Sequence, residues 1–129
     1  MNEPLPEPRG GPVPSEAAVL SKAAVRAAKL LELTQREVAA ALGISEATAS
    51  RLFAGKYSLS SERSKEWELA RLLVRMFRSL DALWGHEETA RLWLASPNLA
   101  LGARPQELLR SVEGMVRVVT YLDAARGRL

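Results

Sequence analysis

The stretch TQREVAAALGISEATASRLFAGK, Thr34 to Lys56, decides the fold of this 129-residue chain. Thr34 and Glu37 have the spacing of a capping box, so a helix is predicted to begin there and to end at Gly43. Gly43 supplies the positive φ that turns the chain within three residues. Ser45 is predicted to cap a further helix. The stretch therefore predicts two short helices joined by a tight turn, with the first turn of the second helix exposed.

The apolar residues of this stretch fit two helices that cross closely. Ala39 is small where the helices must meet, and Ile44 fills the corner between them. The residues expected to bury the inner faces are Val38, Leu42 and Leu52. This pattern is a helix-turn-helix, in which the second helix can enter the major groove of DNA.

A groove-reading helix would use the outward residues near its start. These are Ser45, Glu46, Ala47, Ser50 and Arg51, with Thr48 closer to the backbone. Arg51 is the best candidate for a contact to guanine or phosphate. Gln35, at the start of the preceding helix, and Lys56 and Tyr57, just after the second helix, are expected to hold phosphates.

The pattern from Thr34 to Lys56 resembles the Xre/Cro-like helix-turn-helix family. It departs from that family at Ala49, where Ile or Val is usual and a thinner core results. Glu46 also puts an acid on the DNA face, where it could accept from a cytosine amine or repel phosphate. A helix pair kept as scaffold, with no affinity for DNA, is the alternative. A single domain should bind weakly, so two half-sites about one helical turn apart and a homodimer are expected.

The rest of the chain reads as helix separated by turns, with no strand-length alternation and no internal repeat. Residues 1–14 hold five of the seven prolines and form a predicted disordered leader. Ser15 is predicted to cap a helix running to about residue 32. Ser61 is expected to start a long helix over 61–84, either a core helix or partly a dimer seam. Further helices are predicted at 86–95, 105–111 and 112–125.

Composition supports an all-α protein without membrane spans. Aromatic residues make up 5% of the chain and hydrophobic residues 47%, with Ala and Leu dominant. No apolar run is long enough to cross a bilayer. Cysteine is absent, which suits a reducing compartment, and we expect a cytoplasmic protein. The net charge of +3 is compatible with a DNA partner but does not argue for one by itself.

The residues needed for catalysis are missing. His86 is the single histidine, so neither a histidine metal cluster nor a serine–histidine relay can be assembled. HEETA, from His86, has Ala90 where a zinc-binding helix needs its second histidine. Glu87 and Glu88 are neighbours on a helix and point about 100° apart. We expect a protein that is not an enzyme and needs no cofactor or metal.

A second pattern lies in LWLASPNLALGARPQELLRSVEGMVRVVTYLDAARGRL, from Leu92 to the end. It has a Trp-Leu pair, a Pro- and Gly-punctuated loop, a helix begun by Pro105 and a closing helix that contains Gly114. Gly inside a helix suggests a close helix crossing there, since it costs about 1 kcal/mol relative to Ala. The order of these features resembles the C-terminal toxin-binding domain of the Xre/MbcA/ParS antitoxin family. Trp93, Leu101, Leu108 and Leu109 are expected to be core residues.

The resemblance implies a type II antitoxin that neutralises a RES-domain toxin, an enzyme that depletes NAD. In that family the C-terminal end lies over the toxin's NAD cleft, so Ala125 to Leu129 would occlude it. The expected toxin contacts are Arg104, Arg110, Arg117, Tyr121, Arg126, Gly127, Arg128 and Leu129. Autoregulation is also implied, with the helix-turn-helix binding operator DNA to repress the operon.

These patterns divide the chain into four parts: the leader 1–14, the helix-turn-helix domain 15–60, a connecting or core helix 61–84 and the toxin-binding domain 85–129. The fold expected is a helical Xre/Cro-like helix-turn-helix unit packed with a C-terminal helical toxin-binding domain. The alternative function is a plain Xre-family transcriptional regulator whose C-terminal half dimerises or senses a ligand.

Overall fold

The computed structural model describes residues 14–127 together with Pro4. The predicted leader, apart from Pro4 and Pro14, lies outside the described residues, as do Arg128 and Leu129 of the predicted toxin-binding end. The described part contains seven α-helices and no strand, so the all-α prediction is confirmed. They are α1 Glu16–Leu30, α2 Gln35–Leu42, α3 Glu46–Phe53, α4 Ser64–Trp84, α5 Glu88–Ala95, α6 Pro105–Leu108 and α7 Val112–Gly127.

The helix starts in the N-terminal half follow local signals. Ser15 accepts a hydrogen bond from the backbone N–H of Ala18, as an N-cap does. Thr34 and Glu37 form both bonds of the predicted capping box, each at 3.0 Å. These side chains satisfy N–H groups that the first turn of a helix leaves without partners. The predictions for the starts of α1 and α2 are confirmed.

Two predicted helix starts are wrong. Helix α4 begins at Ser64 rather than Ser61, because Arg63 closes a turn through its N–H to the Ser60 carbonyl, at 3.0 Å. Helix α5 begins at Glu88 rather than His86, because the His86 ring reaches back to Asp81, with Nδ1 2.9 Å from Oδ1. Both errors arise where a side chain or turn contact competes with continued helix.

Helix α6 also ends at a different residue from the one predicted. Helix α6 ends at Leu108, short of the predicted residue 111, because Ser111 turns the chain and caps α7 through the Gly114 N–H, at 3.0 Å. Helix α7 runs from Val112 to Gly127, in agreement with the prediction of a helix over about 112–125 that ends at Gly127.

Helix α4 is the centre of a single core and packs against α1, α2, α5 and α7. Its buried apolar residues are Leu69, Ala70, Leu73, Val74, Met76 and Leu80. The core-helix interpretation of this segment is therefore confirmed for its middle, whereas Trp84 at its end is 40% exposed. The same buried cluster joins Leu42 and Leu52 of the helix-turn-helix to Met115 and Leu122 of α7.

Arg91 on α5 ties the C-terminal half to the end of α1. Its guanidinium lies 3.1 Å from the Glu32 carboxylate and also donates to the Leu30 carbonyl at 3.5 Å. Glu32 has a left-handed backbone with φ of 57°, which glycine usually occupies at a helix end. A cation here faces the negative end of the α1 dipole. Contacts of this kind link the two halves outside the apolar core.

Candidate functional site

The turn between α2 and α3 has the geometry that the sequence predicts. Gly43 has φ of 69° and ψ of 34°, and the Ile44 N–H donates to the Ala39 carbonyl at 3.0 Å. Ser45 then caps α3 by accepting from the Thr48 N–H at 3.0 Å. The inner-face residues Val38, Leu42 and Leu52 are buried, as is Ala39. The turn therefore fixes α3 against α2 with its first turn facing outward.

The predicted DNA contacts lie on α2 and α3 or at the ends of these helices. Seven of the eight are exposed and Thr48 is half-buried; the exposed ones are Gln35, Ser45, Glu46, Ala47, Ser50, Arg51 and Lys56. Gln35 is the first residue of α2, and the others lie on α3 or at its two ends. Ala49 faces inward and is completely buried, so the small residue at this core position is tightly covered.

Arg51 is held along the surface of α3. Its guanidinium donates to Thr48 Oγ1 at 3.2 Å, and the Ser45 hydroxyl donates to the same oxygen at 2.8 Å. The side chain thus leans toward the N-terminus of α3, the end that would enter a groove first. All three partners are at or near the surface, so the guanidinium can exchange Thr48 for a base edge or a phosphate without leaving a buried group unsatisfied.

The acid on this face has a partner that sequence reasoning missed. Glu46 Oε1 lies 3.4 Å from Nε of Arg36 on α2, and both side chains are well exposed. An exposed pair of this kind contributes about 0–1 kcal/mol and can rearrange when a ligand arrives. Arg36 therefore offsets the negative charge of Glu46, which by itself would repel a DNA phosphate. The sequence signal for this pair was the position of Arg36 next to Gln35, a residue already predicted to contact phosphate.

Tyr57 is used inside the protein. Its hydroxyl donates to Oε1 of Glu66 at 2.6 Å, and Arg63 donates to the same oxygen at 2.6 Å while lying 5.0 Å from the Tyr57 ring centre. Burial, and then the hydrogen bond to Glu66, raises the pKa of Tyr57 above its ordinary value. In the free protein the Tyr57 hydroxyl, which was predicted with Lys56 to contact phosphate, is therefore engaged by Glu66. Lys56 is the exposed member of that pair.

The loop after α5 is a closed turn. The Asn98 N–H donates to the Ala103 carbonyl at 3.1 Å, and the Gly102 N–H returns to the Asn98 carbonyl at 2.8 Å. Asn98 Oδ1 also accepts from the Leu101 N–H at 3.0 Å. Leu101 is buried beneath the turn, whereas Leu99 at its tip is fully exposed. The loop is therefore held by its own backbone and displays one leucine.

Gly114 lies where α7 passes under α6. A Cβ built at this position would overlap the carbonyl oxygen of Leu108. The close crossing predicted from Gly114 is confirmed. Leu101 and Leu109 are buried as predicted, and Trp93 and Leu108 are half-buried against the core.

Three predicted toxin contacts lie on or near the closed turn and the start of α7. Arg104, at the start of α6, lies 3.4 Å from the Glu107 carboxylate. Arg117 on α7 donates to the Leu101 carbonyl at 2.8 Å, so it holds the turn as well as facing solvent. Arg110 is exposed in the connection between α6 and α7.

Tyr121 differs from the exposed contact that was expected. It is half-buried, and its ring stacks on Trp93 with centroids 5.9 Å apart. Trp93 in turn lies 5.6 Å from Trp84, so three aromatic rings follow one another. The row joins the end of α4 to α5 and α7, which gives Tyr121 a packing role.

The end of α7 is tied to α4. Arg126 donates to the hydroxyl of Ser79 at 3.2 Å, and Ser79 is completely buried on α4. Asp123, one turn earlier, pairs with Arg75 of α4. Gly127 is exposed beyond these contacts. Of the predicted occluding segment, residues 125–127 therefore have a described position.

Sequence reasoning missed the exposed apolar side chains of this half. They are Trp84, Leu92, Leu99, Val112 and Val116. Val112 and Val116 are spaced to lie on one side of α7, a signal that was available in the sequence. Within the described residues no cluster of His, Cys, Asp or Glu could hold a metal ion, and no helix is long and apolar enough to span a bilayer.

The tight turn, the capped second helix and the helices packed behind them define a helix-turn-helix protein with a second helical unit. Residues 13–75 match the family model of the antitoxin Xre-like helix-turn-helix domain, and residues 79–128 match that of the antitoxin Xre/MbcA/ParS C-terminal toxin-binding domain. The chain belongs to the Xre/MbcA/ParS antitoxin family. A comparison with curated protein sequences found no match.

Membership in this family gives the chain a coarse function. It is an antitoxin of a toxin–antitoxin system, and its two domains imply a toxin and DNA as partners. Antitoxins and regulators of this type are generally non-enzymatic.

Proposed function

We propose that this antitoxin neutralises a RES-domain toxin, an NAD-depleting enzyme, by occluding its active site with the segment Ala125–Leu129. The observation that carries the proposal is the match of residues 79–128 to the toxin-binding domain, which includes nearly all of that segment. The hydrogen bond from Arg126 to Ser79 also supports the proposal, because it attaches the start of the occluding segment to α4. The protein would act in the cytoplasm, without a cofactor.

The charged side chains of the occluding segment are those of Arg126 and Arg128. A guanidinium can form two parallel hydrogen bonds with a carboxylate, or occupy space that suits a pyrophosphate group. Because Arg126 already has Ser79 as a partner, Arg128 is the arginine we assign to the toxin's cleft. Inhibition would then follow from exclusion of NAD and requires no reaction by the antitoxin.

The test is co-expression of the toxin with full-length antitoxin or with a variant that lacks Ala125–Leu129. We expect the truncated antitoxin to co-purify with the toxin while cell growth stops and cellular NAD falls. A shorter deletion, of Arg128 and Leu129 alone, leaves the Arg126–Ser79 bond in place and should release toxicity too. Arg36→Ala removes one arginine in the other half and is the control. Full protection by both truncated variants would contradict occlusion.

We also propose that the antitoxin represses its own operon as a homodimer through α3. The exposed set around Arg51 supports this role, and residues 16–60 carry six basic and four acidic groups. Phosphate contacts would come from Gln35 and Lys56, and base contacts from the first turns of α3. Two copies would span half-sites about one helical turn apart.

A plain Xre-family regulator is the second candidate. The exposure of Trp84, at the end of the central helix, favours it, because a second copy could cover that ring. In this case the C-terminal half would dimerise or sense a ligand, and no toxin would bind. A RES-domain protein encoded by the adjacent reading frame, recovered with the antitoxin in a pull-down, would decide for neutralisation.

A further inference from the structure

Leu99 is the most exposed large apolar side chain among the described residues. It is 102% exposed, whereas its neighbour Leu101 is 6% exposed. A leucine left wholly in water contributes nothing to the apolar core of its own chain. Single exposed leucines are common on protein surfaces, so exposure alone does not define a binding site. The turn that carries Leu99 supplies the second observation.

That turn is held by hydrogen bonds from its own backbone and from two side chains. Two backbone hydrogen bonds join Asn98 to Gly102 and Ala103, and the Asn98 side chain adds a third to Leu101. Arg117 of α7 then holds the Leu101 carbonyl from below, at 2.8 Å. Because the backbone is already ordered, little conformational entropy remains to be lost when Leu99 enters a pocket. Rigid display of one apolar side chain is what a binding anchor requires.

Further exposed apolar side chains lie on α7, the helix whose Arg117 bonds to the turn. Val116, next to Arg117 in the sequence, is 44% exposed. Val112, one turn earlier on the same side of α7, is 47% exposed. We call Leu99, Val112 and Val116 the apolar display. Arg110 and Arg117, in the same part of the chain, are also exposed.

We infer that Leu99 is the apolar anchor of the toxin interface and inserts into an apolar pocket on the toxin surface, apart from the NAD cleft. The partner is assigned because the whole apolar display lies within the segment that matches a toxin-binding domain. The inference rests on the proposed function for the identity of the toxin. It separates two tasks: the apolar display provides affinity, and the C-terminal segment provides inhibition.

The test compares Leu99→Asp with Val19→Asp in full-length antitoxin. Val19 is 54% exposed on α1, so it gives a matched change outside the toxin-binding domain. The probe is the purified protein encoded by the adjacent reading frame. We expect Leu99→Asp to raise the dissociation constant about tenfold or more. Leu99→Met, which keeps an apolar side chain, should have a dissociation constant close to that of the wild-type chain. Val19→Asp should leave it unchanged, and both aspartate variants should keep the wild-type helical spectrum and melting temperature.

The outcomes separate this inference from the proposed function. Equal affinity of Leu99→Asp and Val19→Asp would overturn the anchor and leave occlusion standing. Removal of Arg128 and Leu129 should restore NAD consumption with the dissociation constant unchanged, whereas Leu99→Asp should weaken assembly first. If Leu99→Asp instead dissociates a dimer of the antitoxin alone, the apolar display covers a second copy and the inference is wrong. Failure of the wild-type chain to bind the probe would overturn both.

Discussion

The α2–α3 helix pair and the segment from residue 79 to residue 127 present different side chains to solvent. On α3 the exposed residues are Glu46, Ala47, Ser50 and Arg51, so all but one small alanine are polar or charged. Six large apolar side chains are exposed in the described part of the chain, and five of them lie in the second region; Val19 on α1 is the sixth. One region offers hydrogen-bonding groups and charge, and the other offers apolar surface.

This difference matches the partners of the two domains. DNA presents phosphates and polar base edges, so a reading helix needs donors, acceptors and charge. A protein partner is bound mainly through a few apolar or aromatic anchors within a polar rim. The two regions also differ in how their helices begin. Side chains cap α2 and α3, whereas in and next to the second region α4, α5 and α6 begin without a side-chain cap and only α7 has one, from Ser111.

The largest effect should come from Gly114→Ala, which tests the dependence of the second region on close packing. The new Cβ would overlap the Leu108 carbonyl, so α6 and α7 must move apart. We expect a loss of about 3 kcal/mol in the free energy of unfolding, the upper part of the range for overpacking. Urea titration followed by circular dichroism measures this loss.

Gly127→Ala is the matched control for that variant. A Cβ at residue 127 meets nothing within 4 Å, and α7 includes this residue. The change should be neutral or stabilise the helix by up to about 1 kcal/mol. If the two alanine variants were equally stable, the α6–α7 crossing would not be the tight contact that distinguishes this region.

The same contrast explains how much of the molecule the sequence predicts. The capping box at Thr34 and Glu37 and the turn at Gly43 depend on neighbours within four residues, so their positions were correct. The start of α4 was misplaced because Arg63 is engaged by Ser58 and Glu66 in a local fold that has no repeating pattern. Helical spacing alone does not carry that information.

The candidate sites divide in the same way. The exposed residues of α3 that are predicted to contact DNA follow from the register of one short helix, which Ser45 sets. Leu99 was missed because proline and glycine mark a turn without saying which of its residues points outward. The Tyr57–Glu66 hydrogen bond was not predicted because the two residues are nine positions apart, beyond the reach of local spacing. Surfaces built by tertiary contacts therefore need the structure.

Arg51→Ala tests whether the first region acts through polar contacts. If Arg51 reads a base, operator affinity should fall by about 1–3 kcal/mol, in agreement with loss of a bidentate contact. Binding to the DNA fragment upstream of the chain's own reading frame is measured by fluorescence anisotropy at several salt concentrations. A phosphate contact would instead weaken all sequences alike and reduce the salt slope by about 1.

Arg110→Ala is the control for the loss of one positive charge. Arg110 is exposed in the C-terminal half, away from α3, so its removal should leave operator affinity nearly unchanged. Equal losses for the two variants would mean that net charge drives DNA binding. No loss for Arg51→Ala at any salt concentration would reduce the helix pair to a scaffold.

The smallest effect should come from Tyr57→Phe, which tests whether the contact behind α3 is structural. The Tyr57 hydroxyl donates to Glu66, which keeps Arg63 as a partner in the variant, so the loss should be about 0.5–1 kcal/mol. Burial raises the pKa of Tyr57 above its ordinary value of 10.0, so the folded state retains the proton more strongly than the unfolded state. The stabilisation is therefore complete below about pH 10 and is lost as pH rises through the folded pKa.

Urea titrations of both proteins from neutral pH to about pH 11 measure this difference against pH. Tyr121→Phe removes a phenolic hydroxyl from a ring that stacks on Trp93 and serves as the comparison. DNA binding should be unaffected by Tyr57→Phe at neutral pH, because the hydroxyl is engaged by Glu66 and not presented to phosphate. A loss of operator affinity without a loss of stability would instead return Tyr57 to the DNA-binding surface and extend that surface beyond α3.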